Sequence, residues 1–415
     1  MFQIQDLEQF CHVRSEIYGK VESFWPDLFH TEYALYDMCY MTQSEIEEIR
    51  LTTNRAGRIF FKTARLLREA SEPTLEQLDL PQEILPFIRH QGLPVESVIA
   101  RLDLVQTNDG YKVLEINSDT PTFEKEVFQV NGHLAKHYGA MNPNVGLEFE
   151  LGYALRKAVI ESALRLKREE PYVVFTSHDD HQEDRGTTCY LMELAGFPAR
   201  YVPLHKLQII ENEGLYDEEG RKIDILCRPT YPLEHLIADQ DPVTKESVGI
   251  QLLELVTTGK LAMINPISAF LLQSKAVQAV IWGLMELNHP FFSDEEQNWI
   301  KRYFLPTYLE EDTFIKSGIQ YVKKPCFGRE GDTVEIFQGR KKIMEDAHKT
   351  YRSSASVFQQ YVELPAYQIK TTRGLQEAKL LIGSFLINGK ASGIGIRAGN
   401  QITDNNAYFL PLGVK

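Results

Sequence analysis

Hydrophobic and polar positions along this chain change their spacing twice, and each change predicts a different kind of structure. Apolar residues recur at helical intervals through residues 46–67, and residues 1 to about 95 are predicted to be mostly helical. From residue 147 to 265, helical patterns alternate with short apolar runs such as the one in PYVVFTSH, which predicts a parallel sheet covered on both faces. After residue 266 the pattern favours strands, at 321–324, 334–337, 357–361, 378–387 and 391–396.

The stretch RLDLVQTNDGYKVLEINSDTPT, residues 101 to 122, has the pattern of a β-hairpin whose turn is Asn108-Asp109-Gly110. Register decides where its polar side chains point, because a shift of one residue moves every side chain to the other face. A three-residue loop with Gly110 in the left-handed conformation would pair the polar positions with one another: Asp103 with Glu115, and Arg101 with Asn117. We expect that register because it also directs Leu102 and Leu104 toward Leu114 and Ile116, which gives the hairpin one apolar side.

The polar side of this hairpin points to metal chemistry. Carboxylates directly opposite each other repel unless a positive charge lies between them. An oxygen-rich set made of Asp103, Glu115 and Asn117 is what a hard cation such as Mg²⁺ prefers. The alternative is a solvated hairpin face with a cross-strand pair between Arg101 and a carboxylate, and the hairpin alone does not decide between the two.

A second polar stretch, YVKKPCFGREGDTVEI at residues 321 to 336, has the composition of an anion-binding loop. A strand is predicted to end at Lys324, and the loop that follows carries Arg329 between Gly328 and Gly331. Glycine lets backbone N–H groups approach an anion, and the two cations suit a triphosphate. The P-loop pattern GxxxxGK[ST] is absent, and a flexible surface hairpin with solvated charges is the alternative.

A third stretch, VFQQYVELP at residues 357 to 365, is predicted to be a strand whose edge hydrogen-bonds an adenine ring beside Gln359 and Gln360. Each of these three features is weak when taken singly. Together, a metal-binding hairpin, a phosphate loop and an adenine-binding strand describe a site for a nucleoside triphosphate.

Composition narrows the class of protein. The 415 residues are long enough for two or three domains, and the net charge of −14 argues against nucleic acid as a partner. The longest apolar stretch is too short to span a membrane, and the N-terminal sequence has no secretory signal pattern. Five cysteines without CxxC spacing argue against a disulfide framework and a structural zinc site. A cytoplasmic enzyme is therefore expected.

With these motifs in view, the chain resembles the synthetase part of glutathionylspermidine synthase, an ATP-grasp family, over essentially its whole length. Four ordered motifs carry the resemblance: Arg-x-Asp followed by Glu-x-Asn (Arg101, Asp103, Glu115, Asn117), Lys-Pro-x-x-Gly-Arg-x-Gly (Lys324, Pro325, Gly328, Arg329, Gly331), Asn-Pro followed by a lysine (Asn265, Pro266, Lys275), and an arginine before Ile-Thr (Arg397, Ile402, Thr403). The sequence departs from the family at Thr120 and Thr122, where the family has two serines that contact glutathione. The amidase domain of the bifunctional enzyme has no expected counterpart here.

The resemblance implies a fold and its division. It implies an α/β (α+β lobes) chain with the ATP-grasp fold in permuted order, in which the metal-binding hairpin precedes an inserted α/β substrate domain of the pre-ATP-grasp type. The expected domains are residues 1–150 with the helical segment and the hairpin, residues 151–265 with the insert, and residues 266–415 with the nucleotide-binding lobes and the glycine-rich lid loop.

The resemblance also implies a role for each site residue. Asp103, Glu115 and Asn117 would hold two Mg²⁺ ions; Lys275, Lys324, Gly328, Gly331, Gln359 and Gln360 would bind ATP; Arg101 and Arg329 would be catalytic; and Thr120, Thr122, Glu183, Asp184 and Arg397 would grip the carboxylate substrate. Phosphoryl transfer needs mainly positioning and charge neutralisation, which accounts for these residue types.

The implied reaction is the ATP-dependent joining of a carboxylate to an amine through an acyl phosphate. The expected substrates are a peptide or amino-acid carboxylate and a polyamine or other amine, with neither nucleic acid nor membrane as a partner, and a homodimer is left open. Two other functions stay open as well: a kinase that stops at phosphoryl transfer, and a non-catalytic module that binds peptides. The retained metal set at Asp103, Glu115 and Asn117 argues against the silent module.

Overall fold

The computed structural model describes residues 4–329 and 331–415 as a mixed α/β structure. Its α-helices are α1 (Ile4–Tyr18), α2 (Gln43–Arg68), α3 (Glu72–Gln77), α4 (Leu85–Ile88), α5 (Asn131–His137), α6 (Leu147–Leu166), α7 (Gln182–Ala195), α8 (Leu233–Leu236), α9 (Val248–Thr257), α10 (Ala276–Glu286), α11 (Asp294–Tyr303) and α12 (Asp312–Ser317). Its strands are β1 (Asp27–Leu28), β2 (Thr31–Glu32), β3 (Cys39–Met41), β4 (Ile99–Thr107), β5 (Gly110–Asn117), β6 (Val173–Phe175), β7 (Arg200–Tyr201), β8 (Gln208–Ile210), β9 (Gly214–Tyr216), β10 (Lys222–Ile223), β11 (Ile225–Cys227), β12 (Ala262–Ile264), β13 (Thr307–Tyr308), β14 (Gln320–Pro325), β15 (Glu335–Gln338), β16 (Lys341–Glu345), β17 (Ser356–Gln360), β18 (Ala366–Thr371), β19 (Gly374–Ile387), β20 (Lys390–Gly399), β21 (Tyr408–Leu410) and β22 (Leu412–Val414).

Helix α2 is the element that the apolar periodicity predicts most clearly. It begins at a capping box, in which the Thr42 side chain accepts from the Glu45 amide and the Glu45 carboxylate accepts in return. Its apolar face is buried and packs against β19 and β20. The predicted bounds, 46–67, fall inside the observed Gln43–Arg68.

The antiparallel sheet that carries the hairpin has the strand order β21-β20-β19-β4-β5, with β18 beside β19. Strand β4 is therefore an inner strand, and Asp103 lies next to Gly383 of β19. The apolar side chains of β4, Leu102 and Leu104, are buried in the main core. This burial fixes the face on which the polar side chains of the hairpin stand.

The predicted register is observed, but the turn and the apolar side differ from the prediction. Asp103 pairs with Glu115, as expected, whereas Thr107 pairs with Gly110 and leaves a loop of only two residues. A bulge restores the register, since Leu104 pairs with Val113 and leaves the residue at 114 as the extra one. Leu114 therefore does not join the apolar side.

Instead, Leu114 lines the cavity described below and packs with Val105 and Leu381. An extra residue reverses the alternation of the strand locally, and neither turn sequence nor alternation reveals where the reversal falls.

The parallel sheet predicted for the middle of the chain has the order β12-β11-β6-β7. Its two faces are buried in different cores, because Val173 and Phe175 pack with residues of α6 and α7, whereas Val174 packs in the core that contains α9. A small antiparallel sheet of β8, β9 and β10 was not predicted. The domain boundaries at 150 and 265 stay a prediction.

The last sheet has the order β13-β17-β14-β15-β16 and contains both ends of the glycine-rich loop. Strand β17 lies between β13 and β14, so its backbone groups face neighbours on both sides. The prediction that residues 357–361 present a free strand edge is wrong, because β13, which comes from a stretch with no strand pattern, pairs with β17. In the part of the chain that the structure describes, no helix combines the length and apolar character needed to cross a membrane.

Candidate active site

One cavity of about 480 Å³ lies where the hairpin, the glycine-rich loop, β17, β20 and the start of α7 meet. Every residue that the sequence analysis assigned to the site lines this cavity. They are Arg101, Asp103, Glu115, Asn117, Thr120, Thr122, Glu183, Asp184, Lys275, Lys324, Gly328, Arg329, Gly331, Gln359, Gln360 and Arg397. The fold thus brings together residues that are nearly 300 positions apart.

Arg101 is held rigidly at the floor of the cavity. Its Nε donates to Asp103 Oδ1 at 2.7 Å, its Nη2 to Oδ2 at 3.1 Å, and its Nη1 to the carbonyl oxygen of Thr122 at 2.8 Å. Both charged side chains are buried. Burial alone would disfavour the charged guanidinium, but the adjacent Asp103 carboxylate outweighs it and raises the pKa of Arg101. Arg101 is therefore a permanently charged group with a fixed direction.

Two lysines lie near Glu115 in the cavity wall. Lys275 Nζ lies 3.4 Å from Glu115 Oε2 and donates to the carbonyl oxygen of Gly328 at 2.8 Å. Burial disfavours the charged form of Glu115, but Lys275 and Lys324 together lower its pKa. Burial also lowers the pKa of Lys324 to about 8, although the Glu115 carboxylate opposes this shift. Burial makes the positive charge of Lys324 unfavourable in the free protein, and an anionic ligand beside Lys324 would stabilise that charge.

The donor chemistry of the hairpin fits a hard divalent cation. Each oxygen of Asp103 accepts one hydrogen bond from Arg101 and keeps lone pairs that could face a metal. The buried side-chain nitrogen of Asn117 makes no hydrogen bond within the described part of the chain. Because a half-turn of the amide exchanges nitrogen and oxygen, Asn117 can present its oxygen beside the two carboxylates.

Across residues 4–329 and 331–415, no three His, Cys, Asp or Glu side chains form a metal-binding group. The donor set considered for Mg²⁺ consists instead of two carboxylates and one amide. In the segment His178-Asp179-Asp180-His181, the His181 ring caps α7 by accepting from the Asp184 amide at 3.4 Å. The His178 ring packs edge-on against Tyr231.

The glycine-rich loop reaches across the cavity to the other side. Arg329 Nε donates to Glu234 Oε1 at 3.0 Å, and its Nη2 donates to Thr120 Oγ1 at 3.0 Å. Glu234 lies on α8 and was not among the predicted site residues. Arg329 therefore joins the loop both to the segment after the hairpin and to the chain that follows β11.

The glycine-rich loop is anchored by apolar side chains where it begins. Cys326 and Phe327 are both buried, and the Phe327 ring stacks on Phe270 with 5.0 Å between ring centroids. The beginning of the loop is thus anchored, and the part that follows Phe327 carries the charges. Gly331 has φ of +73°, and a Cβ there would lie 2.8 Å from Ile402 and from the Thr403 carbonyl oxygen, so only glycine fits.

Acidic side chains also gather around Glu183, which lines the cavity. Burial, followed by the charges of Glu126 and Asp184, raises the pKa of Glu183 to about 8. Glu126 is fully buried and accepts a hydrogen bond from the Tyr33 hydroxyl at 2.8 Å. Burial raises the pKa of Glu126 as well. Arg397 also lines the cavity and donates to the carbonyl oxygen of Asp404 at 3.0 Å.

Gln359 reaches the site through its side chain. Its Oε1 accepts from Lys324 Nζ at 2.8 Å, and its Nε2 donates to Thr307 Oγ1 and Gln278 Oε1. Its backbone pairs with Thr307 and Val322, so adenine cannot bind to that backbone, and the contact between adenine and the rest of residues 357–365 stays a prediction. After β17 the chain continues along the cavity at Val362 and Leu364, and its backbone there could hydrogen-bond a ligand.

Two residues that organise the site were missed by the sequence analysis, which named Asn265 only as part of the Asn-Pro motif. Arg228 and Asp119, both fully buried, form a bidentate pair at 2.5 and 3.1 Å. The Asn265 side chain holds the backbone at Val98 and Ile99 on one side and at Asp119 on the other. A single aspartate or arginine has no local pattern, because its partner is more than one hundred positions away.

Comparison with known proteins places this geometry in a family. A protein of Haemophilus influenzae named "Putative acid--amine ligase" is 24% identical over 425 residues, covering 98% of this chain and 95% of that protein. A solved structure of a glutathione synthetase-like effector from Globodera pallida superposes with a TM-score of 0.60 at 12% identity, covering 99% and 97% of the two chains. The fold class, a mixed α/β chain of the ATP-grasp type, is thereby confirmed. A family model described as glutathionylspermidine synthase preATP-grasp matches residues 18–415, and the chain belongs to that family.

Proposed function

We propose that this protein is an ATP-dependent carboxylate–amine ligase that forms an amide bond through an acyl phosphate. The observation that carries the proposal is that one cavity is lined by two groups of side chains with different charge. One group is Arg101, Lys275 and Lys324 beside an oxygen-rich donor set, and the other is the acidic group around Glu183. A triphosphate suits the first group, and an amino group suits the second.

In the proposed reaction, a carboxylate oxygen of the acid substrate attacks the γ-phosphorus of ATP and ADP leaves. The amine then attacks the acyl carbon, the phosphate leaves with one oxygen of the original carboxylate, and the amine loses a proton. Mg²⁺ held by Asp103, Glu115 and Asn117 would neutralise phosphate charge when bound.

The residues of this chain supply the remaining charge and the orientation. Lys275 and Lys324 would contact the phosphates. Arg101, already fixed by Asp103, would stabilise the transferring phosphoryl group and the later tetrahedral oxyanion without reorganising. Arg329 would close the loop over the cavity and keep water from the acyl phosphate, since free water would hydrolyse it.

The acidic side chains around Glu183 suit the amino group of a peptide or amino-acid substrate. Burial, followed by the charges of neighbouring acids, raises the pKa of Glu183 to about 8, so at neutral pH it holds a proton. An arriving ammonium group would favour the ionised carboxylate, and binding would release that proton. Together with Glu183, the residues Asp184, Thr120, Thr122 and Arg397 would contact the acid substrate. We propose a peptide or amino-acid carboxylate and a polyamine or other amine as the substrate classes.

An isotope experiment tests the proposal. Peptides and amino acids are first screened against polyamines and other amines for ADP release that needs both partners. The carboxylate of the active acid is then labelled with heavy oxygen, and labelled inorganic phosphate is expected only when ATP, acid and amine are all present. A labelled phosphorylated product that accumulates with no dependence on amine would show a kinase instead. Peptide binding without any ATP turnover would indicate a binding module.

A further inference from the structure

Tyr33 lines the cavity, but the proposed reaction gives it no role. Its hydroxyl donates to Glu126 Oε1 at 2.8 Å, and the Glu126 side chain is fully buried. Burial, followed by the charges of Glu126 and Glu183, raises the pKa of Tyr33 well above its ordinary value. The hydroxyl therefore keeps its proton at neutral pH and lies within electrostatic reach of Glu183, which lines the same cavity.

The direction of this hydrogen bond decides what the Tyr33 hydroxyl can bind. A tyrosine hydroxyl has one proton to donate and lone pairs that accept. The proton is committed to Glu126, so a ligand in the cavity would meet only the acceptor side of the oxygen. The direction is the same for a protonated Glu126, because a carboxyl group can carry its proton on Oε2 and still accept at Oε1. An ammonium group is a donor that suits such an oxygen, whereas a carboxylate has no proton to share with it.

The backbone around Tyr33 holds this side chain in place. The Tyr33 amide donates to the carbonyl oxygen of Pro26 at 3.0 Å, and its carbonyl oxygen accepts from the Phe409 amide at 2.9 Å. Phe409 in turn pairs with Arg397 between β21 and β20. Tyr33 is thus tied to the strand pair that carries Arg397, and the charge of Arg397 also acts on the Tyr33 hydroxyl.

Glu126 owes its position to an irregular helical turn. The segment Glu126–Val130 forms a π-helical turn just before α5, and such turns are rare and frequently occur at functional sites. The neighbouring Lys125 is directed elsewhere, because its Nζ donates to the carbonyl oxygens of Glu22 and Ser23 at 2.8 and 2.9 Å. Burial raises the pKa of Glu126. A cation in the cavity would make the ionised form of this carboxyl group less costly.

We propose, resting on the proposed function, that Tyr33 is a specificity-determining residue whose hydroxyl oxygen accepts a hydrogen bond from the amino group of the acid substrate. Glu126 is the positioning residue that keeps the hydroxyl in this direction. The substrate class that follows is an amino acid or peptide with a free amino group, in preference to a carboxylic acid without one. A site built to hydrogen-bond a polar group rejects an analogue that lacks it, because the polar atoms of the site are then left unpaired.

Peptide binding tests the proposal without depending on turnover. Dipeptides with apolar, polar and acidic first residues are titrated into the full chain with an ATP analogue and Mg²⁺, each beside its desamino form, in which hydrogen replaces the amino group. For the native chain, at least one free-amino dipeptide should bind about a hundredfold more tightly than its desamino form. In Tyr33→Phe this ratio should fall by about tenfold, because a hydrogen bond to a charged group is lost. The desamino form should bind to Tyr33→Phe as it does to the native chain.

A second variant and a matched control separate this role from a general loss of structure. Glu126→Gln keeps an acceptor for the Tyr33 hydroxyl and removes the charge, and it should lower the ratio by a smaller factor. Tyr172→Phe is the control, because Tyr172 is also buried and its hydroxyl donates to Asp217 at 2.7 Å outside the cavity lining, so the native ratio should persist.

A ratio that Tyr33→Phe leaves unchanged, or a native chain that binds both forms of every dipeptide equally, overturns the proposal. A dipeptide that shows the expected ratios but supports no ADP release with any amine would support the role of Tyr33 and overturn the ligase proposal instead.

Discussion

At the scale of single residues, the hairpin carries two carboxylates in positions that are costly for folding. Asp103 is buried, and Glu115 stands directly opposite it. Arg101 and Lys275 offset part of this charge, and the cation that we propose would offset the rest. Sequence reasoning found these residues because the Arg-x-Asp and Glu-x-Asn patterns are local, and strand alternation then decides that they share a face.

We expect Asp103→Asn and Glu115→Gln each to abolish ATP turnover and to leave the fold intact. Each change keeps the shape of the side chain and removes the charge that a divalent cation would need. Turnover as a function of Mg²⁺ concentration, together with circular dichroism, checks this expectation. Asp109→Asn, in the exposed turn of the same hairpin, is the control and should behave like the native protein. Near-native turnover of either site variant at limiting Mg²⁺ would mean that the hairpin is not the metal site.

In alkaline solution, nucleotide binding should be accompanied by the uptake of a proton on Lys324. Burial lowers its pKa to about 8, so the free protein loses this charge as the pH rises through about 8, whereas an ordinary lysine keeps it up to about pH 10.4. In that window the unfolded chain holds more protons, so this residue makes stability rise with pH there, while nucleotide affinity falls. Titration calorimetry of an ATP analogue in buffers of different ionisation enthalpy measures the uptake.

The uptake should be absent in Lys324→Arg, whose charge persists at every pH used. Lys323→Arg is the control, because Lys323 is more exposed and points away from Gln359. An uptake that Lys324→Arg retains would assign the proton to another group.

At the scale of elements, the glycine-rich loop shows which features local sequence can predict. The loop between two strands and its Lys324, Arg329 and glycines are encoded within sixteen residues, and all were anticipated. The partner of Arg329 was not, because Glu234 lies 95 positions away on a four-residue helix. The prediction of a free edge on β17 was wrong for a similar reason, because its neighbour β13 is distant in sequence and only two residues long.

We expect the Arg329–Glu234 pair to keep the loop closed during the reaction. In Glu234→Gln the hydrogen bond can persist without the ion pair, and in Glu234→Ala both are lost. The ratio of ADP released to amide formed should rise in the order native, Gln, Ala, because water would reach the acyl phosphate. Proteolysis at Arg329 should increase in the same order when ATP analogue and Mg²⁺ are present. The midpoint of urea unfolding of Glu234→Ala separates this effect from a general disturbance of the fold around α8, and an unchanged ratio in Glu234→Ala would remove the pair from the mechanism.

At the scale of the whole molecule, long-range contacts join the hairpin to the parallel sheet. The Asp119–Arg228 pair and the Asn265 side chain connect residues 98–119 with residues 228–265. The fold class and the helix–strand alternation follow from periodicity, because each element repeats its own pattern. Contacts between distant elements follow no repeating pattern. The sequence therefore indicates which distant residues could meet only through the family resemblance, which supplies the order of the motifs.

Of these connections, the Asp119–Arg228 pair should cost the most stability when only one of its two residues is replaced. Both side chains are buried, so Arg228→Met leaves an uncompensated carboxylate, and losing one partner of a buried pair typically costs about 3–5 kcal/mol. The midpoint of urea unfolding should fall by the corresponding amount, whereas Arg228→Met combined with Asp119→Leu should recover a large part of the loss because no charge is left buried. Arg302→Met, which removes an exposed arginine paired with the exposed Glu48, should shift the midpoint much less. If the single and double variants unfold at the same midpoint, the carboxylate of Asp119 reaches water once Arg228 is gone, and the pair is not the joint between the hairpin and the parallel sheet.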